Sequence, residues 1–238
     1  PDCQAITKKA IVERLKKAYD EKGWLNETGA KYPVEVAIHK DNVLLTIDTS
    51  GSGLNKRGYR LAQGEAPIKE TLAASLIRLA NWKGDSPLID PFCGSGTIAI
   101  EACLIAQNIA PGFNRDFVSE EWNIMPPNIY DELRDEADRM ADYDKEIEVY
   151  ASDIDPEMVE IAKRNAEEVG LGDIIQFNVK DVNTLTIDSE GPVALVGNPP
   201  YGERIGDREE VEEMYRYIGS LMKQHPYLST YILTRSEE

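Results

Sequence analysis

The sequence predicts an α/β protein: a doubly wound, mostly parallel sheet in residues 61–238, preceded by a smaller α/β unit in residues 1–60. Three observations carry this. Short apolar runs alternate with stretches of helical period from residue 66 onward. A glycine turn, Gly94-Ser95-Gly96, follows the apolar run Leu88-Ile89 and opens a helix. Asp90, Asp153, Asp181 and Asn198 fall in chain order at the carboxyl ends of four predicted strands, where sheets of this kind bind ligands.

Composition narrows the classes. A net charge of −17 repels phosphate over most of the surface. The first sixty residues are different, with 11 Lys and Arg against 8 Asp and Glu, whereas the rest has 15 against 35. Nucleic-acid affinity is therefore expected mainly in the first quarter. Cys3, Cys93 and Cys103 show neither paired nor metal-like spacing, and with two histidines, His39 and His225, no zinc site is expected. Free thiols suit a reducing cytosol, so a cytoplasmic location is expected. No apolar run reaches 18 residues, and no membrane span or signal peptide is expected. The chain starts at Pro1-Asp2-Cys3 without Met, which reads as a fragment of a longer protein.

In order, Thr7 caps a predicted helix over 7–22, with Ala10, Ile11, Leu15, Ala18 and Tyr19 on one face and Gly23 as its stop. Alternating strands at 34–38 and 43–47 flank a turn at Asp41-Asn42. The run from Asp48 to Arg60 is rich in Gly and Ser, basic, and carries an aromatic residue. Lys56, Arg57, Tyr59 and Arg60 are the candidate RNA contacts, by phosphate charge and base stacking. Pro67 starts a helix over 66–81 with Leu72, Leu76 and Leu79 inward. A strand at 88–90 leads through the glycine turn to a helix over 98–108. The turn ends in neither Gly-Lys-Ser/Thr nor a third glycine, so it is not an NTP or a complete dinucleotide loop.

Residues 113–146 read as an acidic insertion with Phe117, Trp122 and a helix over 126–143. The strand at 148–153 ends in acids. Asp153 is placed for ribose hydroxyls, and Asp155 caps a helix over 156–169; both are candidate ligand contacts. A strand at 174–179 precedes Asp181, which reads as a ligand contact or as a surface turn. A strand at 193–197 leads into Asn198-Pro199-Pro200-Tyr201. Two prolines brace that corner, Asn198 offers an acceptor to a planar amine, and Tyr201 can lie on a flat base; Pro-Pro after a strand also occurs as a plain turn. Arg204 reads equally as a phosphate or base contact or as a salt-bridge partner. A helix over 209–223 and a strand at 229–233 follow, one hairpin strand short of the usual sheet.

Asp90-Pro91-Phe92-Cys93-Gly94-Ser95-Gly96-Thr97 and Asn198-Pro199-Pro200-Tyr201 resemble the cofactor and catalytic motifs of amine methyltransferases that use S-adenosylmethionine (SAM). The helix of residues 7–22, with the run through Leu54-Asn55-Lys56-Arg57-Gly58-Tyr59-Arg60, resembles the C-terminal half of a THUMP RNA-binding domain and its exit into a methyltransferase. Asn55 stands where a His is common in that group. Together they resemble the THUMP-containing RNA guanine-N2 methyltransferases, N-terminally truncated.

The resemblance implies a class I, Rossmann-like SAM methyltransferase domain. It implies cofactor contacts from Asp90, Phe92, Gly94, Gly96, Thr97, Asp153, Asp155, Asp181 and Asn198, and catalysis by Asn198, Pro199, Pro200 and Tyr201. It implies no metal, and S-adenosylhomocysteine (SAH) as the product. The implied substrate is a guanine N2 amine in RNA, 23S rRNA before tRNA. An adenine N6 acceptor, a glutamine side chain and a SAM-binding RNA module without turnover are the rivals.

Overall fold

A computed structural model describes residues 2–62, 64, 67–200 and 208–234. The chain divides into two compact units, residues 1–53 with 116–131, and residues 54–115 with 132–238. The division therefore falls seven residues before the expected boundary. It also gives the middle of the acidic insertion to the first unit.

In the first unit, helix α1 (Asp2–Tyr19) precedes strands β1 (Val34–His39) and β2 (Asn42–Ile47), which pair antiparallel from Val34↔Ile47 to His39↔Asn42. Lys40 and Asp41 form the two-residue turn, with φ of 47° and 61°, the conformation that matches strand twist. The turn lies one residue before the expected one. Helix α1 starts at Asp2, ahead of Thr7, and buries no residue. Its expected inward face, Ala10, Ile11, Leu15, Ala18 and Tyr19, is exposed throughout, and Thr7, Val12 and Lys16 are the half-buried positions, because one helix and one hairpin offer too little apolar area to close a core. Residues 116–131 supply what packing there is. The Trp122 indole stacks on Tyr32 at 4.8 Å and donates Nε1–H to the Lys31 carbonyl at 2.7 Å. The Ser119 hydroxyl donates to the Thr49 carbonyl at 2.9 Å.

The second unit contains helices α2 (Glu70–Leu79), α3 (Thr97–Ala106), α5 (Pro156–Glu167) and α6 (Arg208–Gln224), and most of α4 (Ile129–Met140). Its strands are β3 (Leu88–Asp90), β4 (Val149–Asp153), β5 (Ile175–Val179), β6 (Val193–Gly197) and β7 (Leu228–Ile232). They form one sheet in the order β5-β4-β3-β6-β7, and each neighbouring pair is parallel. Strand order reverses between β3 and β6, so a crevice opens at their carboxyl ends. Helix α3 is buried almost all round, as a helix sandwiched against a sheet must be. Asp155 caps α5 as the sequence indicates, its Oδ1 accepting the Glu157 N–H at 2.8 Å.

Two helices differ from expectation. Helix α2 starts at Glu70, not near residue 66, and buries Ala73 and Ile77 while Leu72 and Leu79 are exposed. Burial of Glu70 against Arg60 sets the rotation of the helix, which period alone could not supply. Helix α4 covers only Ile129–Met140, and a 3₁₀ turn at Val118–Glu121 precedes it.

Candidate active site

A cleft of about 770 Å³ lies at the carboxyl ends of β3, β4, β5 and β6. Phe92, Gly94, Thr97, Asp153, Asp155, Asp181, Asn198, Pro199 and Pro200 line it, so residues spread over more than a hundred positions meet on one surface. Tyr201 and Arg204 lie outside the described residues.

The glycine turn forms one wall. Gly94 and Gly96 have φ of 49° and 83°, a region that side chains disfavour. A Cβ on Gly96 would also come within 3.0 Å of the Ala162 Cβ on α5. Gly96 itself precedes α3 and does not line the cleft; its part is the close approach of turn to helix. Asp153 ties the wall to β4. Its Oδ2 accepts the Gly94 N–H at 2.9 Å and its Oδ1 accepts the Asp155 N–H at 3.0 Å. Each carboxylate oxygen keeps a further lone pair for a ligand hydroxyl. Asp181 accepts the Asn183 N–H at 2.9 Å, so its carboxylate is turned within its own loop as well as towards the cleft.

Asp90 is placed differently from the expectation that it meets the ligand directly. It is fully buried beneath the turn and does not line the cleft. Its Oδ1 accepts the Phe92 N–H at 3.2 Å, and its Oδ2 is a buried acceptor without a hydrogen bond among the described residues. Burial pushes its carboxyl up to about 8, against the pull of the Phe92 N–H, and nearby Asp153 adds to the rise. It is a buried acid whose ionisation a cation nearby would favour.

The opposite wall is the corner after β6. Gly197 lets Phe92 lie against the strand, since a Cβ there would come within 2.8 Å of the ring. Asn198 follows, half-buried, with Oδ1 buried and without a hydrogen bond among the described residues. Pro199 is buried and Pro200 exposed. The fixed φ of both residues and the packed Phe92 ring hold this acceptor at the cleft wall.

The basic run is not a free RNA surface. Tyr59 is 1 % exposed and donates its hydroxyl to Glu101 Oε1 at 3.0 Å. Arg57 Nε pairs with the same oxygen at 3.4 Å. Arg60 pairs with Glu70 at 2.7 Å. Only Lys56 of the four is exposed. The expected base stacking by Tyr59 is thus corrected: a ring with its hydroxyl paired in the core has no face to offer. Sequence reasoning also missed Lys180, Asn183, Met158, Ile154, Glu213 and Met214 in the cleft lining. Ile154 was the findable one, an apolar residue between two acids at a strand end. Glu213 and Met214 sit in an ordinary amphipathic helix and carry no local signal.

Switch-point crevice, glycine turn and proline-braced Asn define the class I SAM-dependent methyltransferases, and the unpaired Asp90 acceptor beneath the turn fits the cationic, amine-bearing cofactor of that class. The family model described as RMKL-like, methyltransferase domain, matches residues 57–237, and the chain belongs to that family. YpsC of Bacillus subtilis (strain 168), whose name provisionally places it among RNA methyltransferases, is 56% identical over 241 residues, covering 100% of this chain and 62% of YpsC. The ribosomal RNA large subunit methyltransferase K/L of Shewanella baltica (strain OS155) is 39% identical over 222 residues, covering 91% of this chain and 31% of its own length. Among solved structures, a Listeria monocytogenes protein provisionally described as an N6-adenine-specific DNA methylase superposes with TM-score 0.93 at 54% identity, over 100% of this chain and 62% of that one. SMU.472, provisionally a methyltransferase and solved with SAH, gives 0.91 at 43%, over 98% and 62%. The chain thus spans under two-thirds of the length of these relatives. Among the described residues no helix is long and apolar enough to cross a membrane, and no cluster of His, Cys, Asp and Glu could hold a metal.

Proposed function

We propose that this chain carries the catalytic domain of a SAM-dependent RNA methyltransferase acting on the exocyclic N2 amine of a guanine, with large-subunit ribosomal RNA as substrate. The observation that carries the reading is the Asn198 Oδ1, a buried acceptor left without a hydrogen bond on a cleft shared with the glycine turn. The names of YpsC and of the K/L methyltransferase support RNA, and the latter supports the large ribosomal subunit.

SAM supplies a methyl group already activated by its sulfonium. What remains for the protein is alignment of the amine for in-line attack. A base amine has its lone pair delocalised into the ring. Asn198 Oδ1 and the Pro199 carbonyl accept its two N–H bonds, which turns the lone pair out of the ring and stabilises the charge that develops on nitrogen. The surplus proton then leaves to water, so no strong general base is needed. Of the cleft residues, Asp153 would hold the ribose hydroxyls and Asp181 the adenine amino group, and Asp90 would act on the cationic end from beneath the turn. Tyr201 is assigned to the flipped base by sequence.

The raised Asp90 carboxyl gives a pH signature. Its folded value lies above its unfolded one, so the folded chain holds an extra proton from the ordinary carboxylate range to about pH 8. The contribution of Asp90 to stability therefore falls as pH rises through that window. A bound ammonium favours the carboxylate. SAH binding is expected to release a proton near neutral pH and to tighten by up to about tenfold per pH unit towards pH 8. Calorimetry in buffers of different ionisation enthalpy counts the proton, and Asp90→Asn should abolish the release.

The function itself is tested by mapping methylated nucleosides in RNA from cells with and without the protein. Loss of N2-methylguanosine from large-subunit rRNA is the expected result. Loss of N6-methyladenosine, or of a tRNA methylation, moves the assignment to the corresponding rival. Unchanged nucleosides favour a binding module without turnover.

A further inference from the structure

We propose that Arg60 is a positioning residue for the glycine turn, and that the run Arg57–Ala62 is a strap that sets cofactor affinity rather than an RNA contact. The inference rests on the reading of the cleft as a SAM site.

The Arg60 guanidinium makes four bonds, all within the second unit. Nε donates to Glu70 Oε1 at 2.7 Å and Nη1 to Ser95 Oγ at 3.0 Å. Nη2 donates to Thr97 Oγ1 at 2.9 Å and to the Ile68 carbonyl at 3.0 Å. Its side chain is 15% exposed and that of Glu70 5%, so water competes little for these bonds. Ser95 and Thr97 bracket Gly96 in the turn, and both line the cleft, as does Ile68. One planar fork therefore fixes the turn to the start of α2. Lysine, with a single nitrogen, cannot span this set.

The strap is held independently on either side of Arg60. Before it, Arg57 and Tyr59 converge on Glu101 of α3. After it, Asn165 of α5, 1% exposed, accepts the Leu61 N–H at 2.9 Å and donates to the Ala62 carbonyl at 3.1 Å. The same Asn165 amide donates to the Ser95 carbonyl at 3.0 Å. Ser95 is thus gripped at its hydroxyl and its carbonyl by two different residues. A glycine-flanked turn has high intrinsic freedom, and a ligand that needs it in one shape pays for the ordering unless the fold has already done so.

The test compares Arg60→Lys, Arg60→Ala and Ser95→Ala in the full chain. Lys keeps the charge opposite Glu70, and Ser95→Ala leaves that ion pair intact, so at least these two are expected to fold, as circular dichroism checks. SAH affinity by calorimetry is expected to fall about tenfold or more for Arg60→Lys and somewhat less for Ser95→Ala. In turnover, KM for SAM is expected to rise while kcat at saturating SAM stays within about threefold, the split of an ordering role. Filter binding to large-subunit rRNA should be unchanged. Folded Arg60→Lys with wild-type SAH affinity overturns the proposal, and weaker rRNA binding beside unchanged SAH affinity replaces it with the RNA-contact reading. If the unaltered chain takes up no SAH, the cofactor reading of the cleft fails first and the proposal with it.

Discussion

Asn198→Ala is expected to retain SAH binding within a fewfold and to lose methyl transfer by about 10²–10³-fold, the range seen when one preorganised polar group aimed at a developing charge is removed. The asymmetry follows from the free protein. Asn198 Oδ1 is buried without a hydrogen bond among the described residues, so deleting it breaks no bond of Oδ1. The glycine turn stands on β3 and on the bond from the Gly94 N–H to Asp153, not on Asn198. Removal of a desolvated, unsatisfied group should therefore leave thermal stability unchanged or slightly raised. Stability and activity would move in opposite directions, which a residue kept for packing cannot do. Single-turnover rates with saturating SAM and RNA, beside a melting curve, measure both. A variant that methylates at the wild-type rate, or one that unfolds at lower temperature, removes Asn198 from catalysis.

Glu101→Ala is expected to cost about 3–5 kcal/mol of stability, the range for breaking a buried ion pair by deleting one partner. Glu101 is 1% exposed on α3, and a single oxygen receives both Arg57 Nε and the Tyr59 hydroxyl. Burial pushes the Glu101 carboxyl up, and the Arg57 charge and both bonds draw it back. Its loss strands a guanidinium that is 13% exposed and a phenol in the core. Glu101→Gln keeps an acceptor for both donors and should cost less than half as much. Urea unfolding followed by fluorescence gives both numbers, and equal midpoints for the wild type and Glu101→Ala would show that the strap contributes nothing to the fold.

The parts of the site legible in the sequence were those whose meaning is local. The glycine turn, the Asp155 cap, the Asn-Pro-Pro corner and the strand ends each span fewer than ten residues, and their backbone demands are written in Gly, Pro, Asp and Asn. The parallel sheet followed because alternating strands and helices leave few ways to wind. Exceptions had distant causes. Helix α2 was given only part of its inward face: Leu76 packs on the core as expected, but Ala73 and Ile77 are buried where Leu72 and Leu79 are exposed, and Glu70 is buried against Arg60, ten residues away. Residues 116–131 were read as part of an acidic insertion, although Trp122 reaches 91 residues back to donate its Nε1–H to the Lys31 carbonyl.

The run from Lys56 to Arg60 makes the division plain. By itself the sequence determined a parallel α/β sheet, a glycine turn at its switch point and a proline-braced Asn198 corner. Only the tertiary structure decided that Arg57, Tyr59 and Arg60 are internal ties. A guanidinium facing RNA phosphate and one facing Glu101 or Glu70 have the same composition. What differs is the opposing charge, and folding brings that charge from 10 to 44 residues away.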